Sequence, residues 1–353
     1  MAAAPVRSIL LFKLRYVGDV VLTTPAIRLI RRACPNATLT AVVFRGAEDA
    51  LRHNPHIDAV VTVDRGLIER GGIGARWRHE LTMLKQLRAT RADASLDFDS
   101  GERGAYMAWL AGVPTRIGFR YSRGVRPWLF TVQVAVAPTL HTVERNLRLV
   151  EEAFGVTRKD ERLEIFPSEE DERAVDRWLR EHAPGGRYAV IHPGARFAFK
   201  QWPFEKWAAL IDRLQNESGV QVVLAGGPDD HTALEGITAR AARPPISFTG
   251  KTLLQFALLC RRASAFIGND SGPAHIAAAA GTRVVALFGP TDPAMWGPWG
   301  DGHEVVSNRS PDLSSASGCV EGCACSGLHA ITVQTVYAAA VRALAGSEPR
   351  VAR

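Results

Sequence analysis

Short apolar runs alternate along this chain with stretches that have helical periodicity. In the first half, the apolar runs predict strands over residues 8–14, 39–44, 59–63 and 94–98. The periodic stretches predict helices over residues 25–33, 74–89, 103–110 and 143–154. Residues 118–138 are predicted to be irregular and basic, and residues 155–167 to form a linker.

The second half repeats the alternation. Strands are predicted over residues 188–192, 220–225, 263–267 and 283–288. Helices are predicted over residues 203–217, 229–242, 252–262 and 333–344, with a further helix of small residues after Pro273. Alternation of this kind is typical of a parallel sheet with helices on both faces.

A chain of 353 residues exceeds the usual size of one hydrophobic core, so two domains are expected. We predict an α/β protein with two Rossmann-like, doubly wound domains, residues 1–165 and 166–353, which face each other across a cleft. The final helix is expected to be able to pack back on the first domain. Ligands of such folds bind in the crevice outside the carboxyl ends of the strands.

The most informative stretch is GNDSGPAH at residues 268–275, which follows an apolar run. Pro273 suits the first turn of a helix, so Asp270, Ser271 and Gly272 are predicted at its N-terminal end. Backbone N–H groups and the helix dipole attract anions there, and His275, one turn later, can donate a hydrogen bond to a phosphate. The stretch therefore predicts a site for a nucleotide or another phosphorylated ligand.

Two other strand ends of the second half carry polar residues. Gly194 lets a phosphate approach the main chain, and Lys200 can neutralise a pyrophosphate as a point charge. Asp229 or Asp230 can hold ribose hydroxyls, but both are equally suited to cap a helix. His192 precedes a proline and is interpreted as structural.

One strand end of the first half, KLRYVGDVV, carries a carboxylate. Gly18 is predicted to permit a tight turn and the close approach of a ligand. Asp19 can serve as a general base at the mouth of the cleft, or it can simply be an N-cap. Asp97 and Asp99 are interpreted as a pair at another strand end rather than as a metal-binding motif.

The charge is unevenly distributed between the two halves. The formal net charge is +7; residues 1–165 hold 25 Lys and Arg against 17 Asp and Glu, whereas residues 166–353 hold 18 against 19. This asymmetry predicts an anionic partner for the first half. Lys13, Arg15 and Asp19 interrupt the apolar residues near the start, which argues against a signal peptide or membrane span. We predict a cytoplasmic protein whose basic face can touch an anionic membrane surface.

The sequence lacks the motifs of several common enzyme and nucleotide-binding families. There is no Walker sequence, no G-x-G-x-x-G after the first strand and no Ser-His-Asp elbow. Cys319, Cys323 and Cys325 are close in sequence, but their spacing favours reduced thiols over a zinc site.

Taken together, these motifs resemble the bacterial heptosyltransferases of glycosyltransferase family 9. The resemblance covers nearly the whole chain and rests on LRYVGDVVLTTPAIRLIRRACP, RIGFR, HTVERNLRLV, HPGA with K-x-W-P, and GNDSGPAH with LFGPTDP. It implies the GT-B fold and an inverting transfer that needs no metal or other cofactor. It also implies ADP-L-glycero-β-D-manno-heptose as the donor and the anionic lipid A–core as the acceptor, at the inner membrane surface, with no role for nucleic acid.

The resemblance also implies roles for individual residues, with Asp19 as the general base. The implied donor-binding residues follow strands of the second domain: Gly194, Lys200, Asp230, Asp270, Ser271, Gly272 and His275. The implied acceptor-binding residues lie in the basic first domain: Gly18, Arg120, His141 and Arg145.

Three alternatives remain open at this level. One is a family 9 transferase that uses another sugar nucleotide or another acceptor. A second is a sugar-nucleotide epimerase of GT-B shape, although an epimerase would not need the basic excess of residues 1–165. The third is a nucleotide-binding module without catalytic activity.

Overall fold

The computed structural model describes residues 6–99, 101–120, 126–183, 186–308 and 327–346. The chain divides into two compact units, Met1–Phe166 and Pro167–Arg353. Arg123 of the predicted irregular segment and the three clustered cysteines, Cys319, Cys323 and Cys325, lie outside the described residues.

The described part of the first unit contains a six-stranded parallel sheet in the order β3-β2-β1-β4-β5-β6. Its strands are β1 (Ser8–Lys13), β2 (Thr38–Phe44), β3 (Ala59–Val63), β4 (Ala94–Asp97), β5 (Thr115–Phe119) and β6 (Val132–Val134). Its helices are α1 (Val17–Val21), α2 (Thr24–Ala33), α3 (Arg65–Arg70), α4 (Ile73–Ala89), α5 (Arg103–Leu110) and α6 (Thr142–Phe154), with 3₁₀ turns at Glu48–Leu51 and Pro127–Leu129.

The described part of the second unit has a second six-stranded parallel sheet, in the order β12-β11-β10-β7-β8-β9. Its strands are β7 (Tyr188–His192), β8 (Gln221–Ala225), β9 (Ile246–Phe248), β10 (Ala265–Asn269), β11 (Val284–Phe288) and β12 (Glu304–Ser307). Its helices are α7 (Glu169–His182), α8 (Phe204–Glu217), α9 (His231–Thr238), α10 (Leu253–Arg262), α11 (Gly272–Ala279), α12 (Pro293–Trp296) and α13 (Val333–Ala345), with 3₁₀ turns at Ala198–Lys200, Pro228–Asp230 and Leu328–Ala330.

The two sheets have the same strand order when each is counted from its own first strand. This is the order 3-2-1-4-5-6 of doubly wound folds, and it confirms the predicted α/β class. The order reverses between β1 and β4 in the first unit and between β7 and β10 in the second. Crevices for ligands are expected at these two reversals, outside the carboxyl ends of the strands.

The central strand of each sheet is buried on both faces, which explains why its sequence is a continuous apolar run. Ile9, Leu10 and Phe12 of β1 are fully buried, as expected for a strand covered on both faces. In the second unit, Trp202 and Trp207 pack edge to face with ring centres 4.9 Å apart. The final helix, α13, packs on the second sheet through alanines and Val336.

Several short elements were not predicted, among them α3, β9, α12 and β12, and two further segments differ from the sequence-based expectations for clear reasons. Residues 118–138, predicted to be irregular, include the end of β5, a 3₁₀ turn and β6, which pairs with β5. Only three residues form β6, which is too few to show a period. Helix α7 was not predicted because its sequence is rich in charges, although Ser168 and Asp171 form the capping box that marks its start.

No helix among the described residues is long and apolar enough to cross a bilayer.

The predicted linker, residues 155–167, is bonded to α2 by a buried arginine. The Arg28 guanidinium donates to the carbonyl oxygens of Asp160, at 2.9 Å, and Arg162, at 3.1 Å, and it pairs with the Glu164 carboxylate. The Glu164 N–H donates to the Thr24 hydroxyl at 3.0 Å. The end of the first unit is therefore fixed by one cation that is almost wholly removed from water.

We expect Arg28→Ala to lower the free energy of unfolding of the first unit by about 3–5 kcal/mol, because it leaves buried acceptors without a partner. Urea unfolding followed by circular dichroism measures this change. Arg32→Ala, on the exposed side of the same helix, is the matched control and should shift stability by less than about 0.5 kcal/mol. Equal midpoints for the two variants would contradict the assignment.

Candidate active site

Asp19 lies in the first turn of α1, directly after the central strand of the first sheet. Tyr16 occupies the N-cap of this helix, so the interpretation of Asp19 as an N-cap is wrong. The helix begins at Val17, and Gly18 lies buried inside it rather than in the predicted turn. The left-handed freedom of glycine is therefore not used at Gly18.

Two buried aspartates lie at the end of β4, the neighbour of β1 across the reversal of strand order: Asp97 is its last residue and Asp99 comes two residues later. The Asp99 carboxylate accepts a hydrogen bond from the Leu14 N–H at 2.5 Å and lies 3.5 Å from the Lys13 ammonium. Lys13 also donates to the Phe98 carbonyl at 3.0 Å, and the Asp99 N–H donates to Asp97 at 2.8 Å. These contacts confirm a strand-end pair that orders the turn leading to Asp19.

The carboxyl group of Asp19 is more basic than an ordinary aspartate. Burial raises its pKa, and Asp99 raises it further, while the positive charges of Lys13 and Arg15 lower it. Burial is the largest of these influences. A half-buried carboxylate with a raised pKa is suited to accept a proton, which is what a general base requires.

Burial has a stronger effect on the neighbouring Asp97. Its pKa is raised well above the ordinary range, first by burial and then by the charge of Asp99. Its Oδ2 atom is buried without a hydrogen-bond partner, beside the place where a Cβ on Gly104 would lie. Burial therefore favours the neutral form of Asp97, next to the Asp99 carboxylate that pairs with Lys13.

A cavity of about 270 Å³ opens beside this cluster and is lined by three arginines, Arg15, Arg65 and Arg103. Arg65 donates to the Tyr16 hydroxyl at 2.6 Å and lies over the Tyr16 ring, 5.1 Å from its centre. Asp19 does not line this cavity, but it interacts electrostatically with Arg15, which does. Glu69 and Asp99 also line the cavity, so its arginines exceed its acids by one.

The predicted acceptor-side residues lie at the neighbouring strand ends of the first unit. His141 is the N-cap of α6, and its Nδ1 accepts from the Val143 N–H at 3.2 Å. Arg145, one turn later, lies over the Phe119 ring, 5.1 Å from its centre. Arg120 follows Phe119 directly and is exposed. The structure therefore brings Arg120, His141 and Arg145 to one region.

The start of α6 is bonded to the segment that carries Asp19. The Asn146 amide donates to the Thr23 hydroxyl at 3.2 Å, and this hydroxyl donates to the Asp19 carbonyl at 2.8 Å. Both bonds are buried or partly buried, which fixes α6 relative to α1. The His141–Arg145 end of α6 is thus positioned by the same contacts that hold the Asp19 turn.

In the second unit, Asp270 follows β10 at the reversal of strand order. Its carboxylate pairs with the Lys200 ammonium at 2.6 Å and accepts a hydrogen bond from the Thr291 hydroxyl. Both charged side chains are largely buried. Lys200 is held in place by its loop, because the buried Trp202 indole donates to the Ile331 carbonyl at 3.1 Å.

The helix start predicted at residues 270–275 is present. Ser271 is the extended N-cap of α11, Gly272 is the first residue of the helix, and Pro273 lies in its first turn. His275 is buried one turn further along. The Asn269 amide donates to the Pro193 carbonyl at 2.6 Å, so the ends of β10 and β7 are joined directly.

Gly194 and Asp230 lie against each other at the end of β7. A side chain at Gly194 would overlap the Asp230 carboxylate. That carboxylate accepts from the Gly227 N–H at 2.9 Å and lies 3.5 Å from His192 Nε2. Burial lowers the pKa of His192, although Asp230 opposes this. Asp230 therefore acts as a cap in this structure, and its contact with ribose stays a prediction.

Within the described residues, no group of three or more His, Cys, Asp or Glu side chains is arranged to hold a metal ion.

Known proteins with similar sequences identify the family. The sequence profile of glycosyltransferase family 9 (heptosyltransferase) matches residues 81–324, more than half of the chain. The chain belongs to glycosyltransferase family 9. Lipopolysaccharide heptosyltransferase 3 of Escherichia coli K12 is 33% identical over 294 residues, which are 81% of this chain and 83% of that protein.

Solved structures of the family share the fold of this glycosyltransferase. The family 9 glycosyltransferase of Veillonella parvula superposes with a TM-score of 0.84 at 25% identity, covering 97% of this chain and 98% of that one. The E. coli ADP-heptose LPS heptosyltransferase II gives a TM-score of 0.76 at 24% identity, covering 96% and 98%. The GT-B fold that the resemblance implied is confirmed.

Sequence reasoning missed several residues of this family 9 enzyme's candidate site. Arg65 and Arg103 reach the cavity from α3 and α5, and Thr291 reaches Asp270 from the loop after β11. Each of them follows the carboxyl end of a strand, so the topology of a doubly wound sheet contained the signal. The sequence motifs alone did not indicate which side chains turn inward.

The raised pKa of Asp97 predicts an unusual pH dependence of stability. The folded state binds the Asp97 proton more tightly than the unfolded state, so this group makes unfolding easier as pH rises above the unfolded pKa. Between the unfolded and the folded pKa of Asp97, the free energy of unfolding falls by up to about 1.4 kcal/mol per pH unit. Asp97→Asn should remove this component of the slope in urea titrations between pH 5 and pH 7.

Asp49→Asn provides the matched control, because Asp49 forms an exposed pair with Arg52 in the same unit. It should leave the slope of stability against pH unchanged. If Asp97→Asn reproduces the wild-type slope, Asp97 is ionised in the folded protein and the assignment is wrong.

Proposed function

We propose that this family 9 glycosyltransferase moves heptose from ADP-L-glycero-β-D-manno-heptose to the inner core of lipopolysaccharide. The reaction inverts the anomeric configuration, needs no metal, and takes place at the cytoplasmic face of the inner membrane. The main support is the pair of sites at the two reversals of strand order. One carries a basic carboxylate, Asp19, and the other carries a cation, Lys200, beside a helix start.

The second unit supplies the donor site in this proposal. The Lys200 ammonium has three donor hydrogens, and one carboxylate oxygen of Asp270 engages it. A diphosphate brought to this position would find the remaining hydrogens and the N-terminus of α11, which favours anions. Ser271, Gly272 and His275 belong to this helix start, and Gly194 lies at the end of the neighbouring strand β7, where it leaves room for the Asp230 carboxylate.

The reaction is a direct displacement. The acceptor hydroxyl oxygen bonds to the anomeric carbon while the bond from that carbon to the ADP oxygen breaks. Asp19 takes the hydroxyl proton, and ADP leaves with the bonding electrons, its charge stabilised by Lys200 and the helix start. Attack on the face opposite the leaving group converts a β-linked donor into an α-linked product. A metal is not required, because protein groups neutralise the leaving phosphate.

The first unit supplies the acceptor site. Gly18 keeps α1 free of a side chain next to Asp19, and Arg120, His141 and Arg145 offer positive charge and hydrogen-bond donors. The arginines of the cavity beside Asp19 extend this positive region. An acidic, phosphorylated sugar chain fits these groups, which agrees with the excess of Lys and Arg in residues 1–165.

The alternatives differ in what they need from the acceptor. A relative that uses another sugar nucleotide or another acceptor would transfer a different sugar, which mass spectrometry of the products detects. An epimerase of the same fold would convert the donor without any acceptor. A binding module would release no ADP at all. Release of ADP that depends on the acceptor distinguishes a transferase from the last two.

We expect Asp19→Asn to lower kcat at least about 100-fold, because it removes the proton acceptor and keeps the shape of the side chain. Binding of ADP, measured by calorimetry, should stay within twofold of wild type. Transfer is measured by ADP release with excess EDTA present. Near-normal turnover of this variant would eliminate Asp19 as the base.

The pH profile tests the same assignment. The active form of Asp19 is deprotonated, so kcat/KM should rise with pH through the pKa of Asp19. Because burial raises that pKa, the acid limb should lie at higher pH than an ordinary aspartate would give. Asp49→Asn, at an exposed pair, should keep the wild-type profile.

Lys200→Met tests the donor site. It removes the charge proposed to meet the diphosphate and leaves Asp270 without its cation, so we expect ADP affinity to fall about tenfold or more. Calorimetric titration with ADP measures this. Lys251→Met, at an exposed position of the same unit, is the control. Equal affinities in the two variants would place the diphosphate elsewhere.

A further inference from the structure

Helix α4 carries an apolar stripe that faces water. Ile73, Trp77 and Leu81 are 76%, 66% and 53% exposed, and they follow one another at intervals of four residues. Residues four apart lie on one face of a helix, one turn above the other. Met83 and Leu87, on another face of α4, are buried in the core of the first unit. Helix α4 is therefore anchored on one face and exposes apolar side chains on another.

A second group of exposed apolar residues lies beyond the end of α4. Arg88, at the end of α4, donates to the Leu110 carbonyl at 3.0 Å, which joins the ends of α4 and α5. Trp109 and Leu110 of α5 are exposed there, and Trp128 packs edge to face on Trp109 with ring centres 5.3 Å apart. We call these six residues the apolar patch: Ile73, Trp77, Leu81, Trp109, Leu110 and Trp128.

Positive charge surrounds the patch. Residues 65–91 contain seven Lys and Arg against two Asp and Glu. Both of these acids are paired with arginines, Glu69 with Arg65 and Glu80 with Arg103. Arg76, Arg78 and Lys85 of α4 are exposed. An apolar face with tryptophan and a basic border is the pattern of surfaces that lie in the interface of an anionic bilayer.

We propose that the apolar patch docks this enzyme on an anionic lipid bilayer. The tryptophans and aliphatic side chains enter the headgroup region, and the basic residues of α4 contact the lipid phosphates. The charge complementarity favours lipid over a second copy of the chain, whose identical patch would carry the same positive charge.

The position of the patch fits the reaction. Helix α3 and then α4 follow β3, so the first turns of α4 lie toward the carboxyl edge of the first sheet, where Asp19 lies. Glu80 of α4 pairs with Arg103, which lines the cavity beside the candidate base. Docking through the α4 part of the patch therefore brings the acceptor site towards the lipid surface. This last step rests on the proposed function, whereas binding of the patch to lipid does not.

Flotation of the full-length protein with vesicles tests the proposal. We expect binding to vesicles of phosphatidylcholine mixed with phosphatidylglycerol and weak binding to phosphatidylcholine alone, because each Lys or Arg near an anionic surface contributes about fivefold in affinity. The triple variant Ile73→Ser, Trp77→Ser, Leu81→Ser should bind at least about tenfold more weakly. Val305→Ser with Val341→Ser, exposed residues of the second unit, is the control and should bind like wild type.

A second measurement separates docking from catalysis. The triple variant should keep its rate on a deacylated, water-soluble acceptor and lose rate on the same acceptor embedded in anionic vesicles. If neither acceptor is used by wild type, the proposed function fails, and flotation still decides the role of the patch.

Two results would overturn the proposal. One is an affinity of the triple variant for vesicles equal to that of the wild type, because the patch would then not contribute to lipid binding. The other is a change from dimer to monomer in the triple variant, measured by light scattering, because the patch would then be an interface between two copies of this chain.

Discussion

The burial of β1 and β7 at the centres of their sheets determines where chemistry can occur in this enzyme. Each strand is covered on both faces, and its side chains are fully buried over almost its whole length. Polar groups are thereby confined to the strand ends. Because all strands of each sheet are parallel, their carboxyl ends lie on one edge, and the reversal of strand order opens a crevice there. Asp19 and Asp270 both follow strands at such a reversal.

A lysine–aspartate pair stands at each reversal, but the two pairs differ in access. Lys13 belongs to β1 itself, its side chain is 8% exposed, and Asp99 also holds the Leu14 N–H. Lys200 comes from a 3₁₀ turn, and its side chain is 18% exposed. The first pair is bound into the backbone and shapes the Asp19 turn. The second is more exposed to solvent, as the proposed contact of Lys200 with a diphosphate requires.

The alternation of apolar runs was enough to predict the class of fold, because strands buried on both faces leave a strong signal. Short or charged elements were missed: β6 has only three residues, and the sequence of α7 is dominated by charge. The site was predictable where glycine, proline and polar residues follow a strand, as at residues 268–275. It was not predictable where the helix register decides, as at Gly18, or where a side chain arrives from another strand end, as with Arg65 and Thr291.

The basicity of Asp19 depends on the protonation of its neighbours. Burial raises its pKa, but a base is useful only if it remains ionised at the working pH. The positive charges of Lys13 and Arg15 lower the pKa of Asp19 and so favour its ionised form. Both cations also pair with Asp99, which weakens this influence on Asp19. A further negative charge at Asp97 would shift the balance toward a protonated Asp19. Because burial raises the pKa of Asp97 well above its ordinary range, Asp97 resists adding a further negative charge beside Asp99.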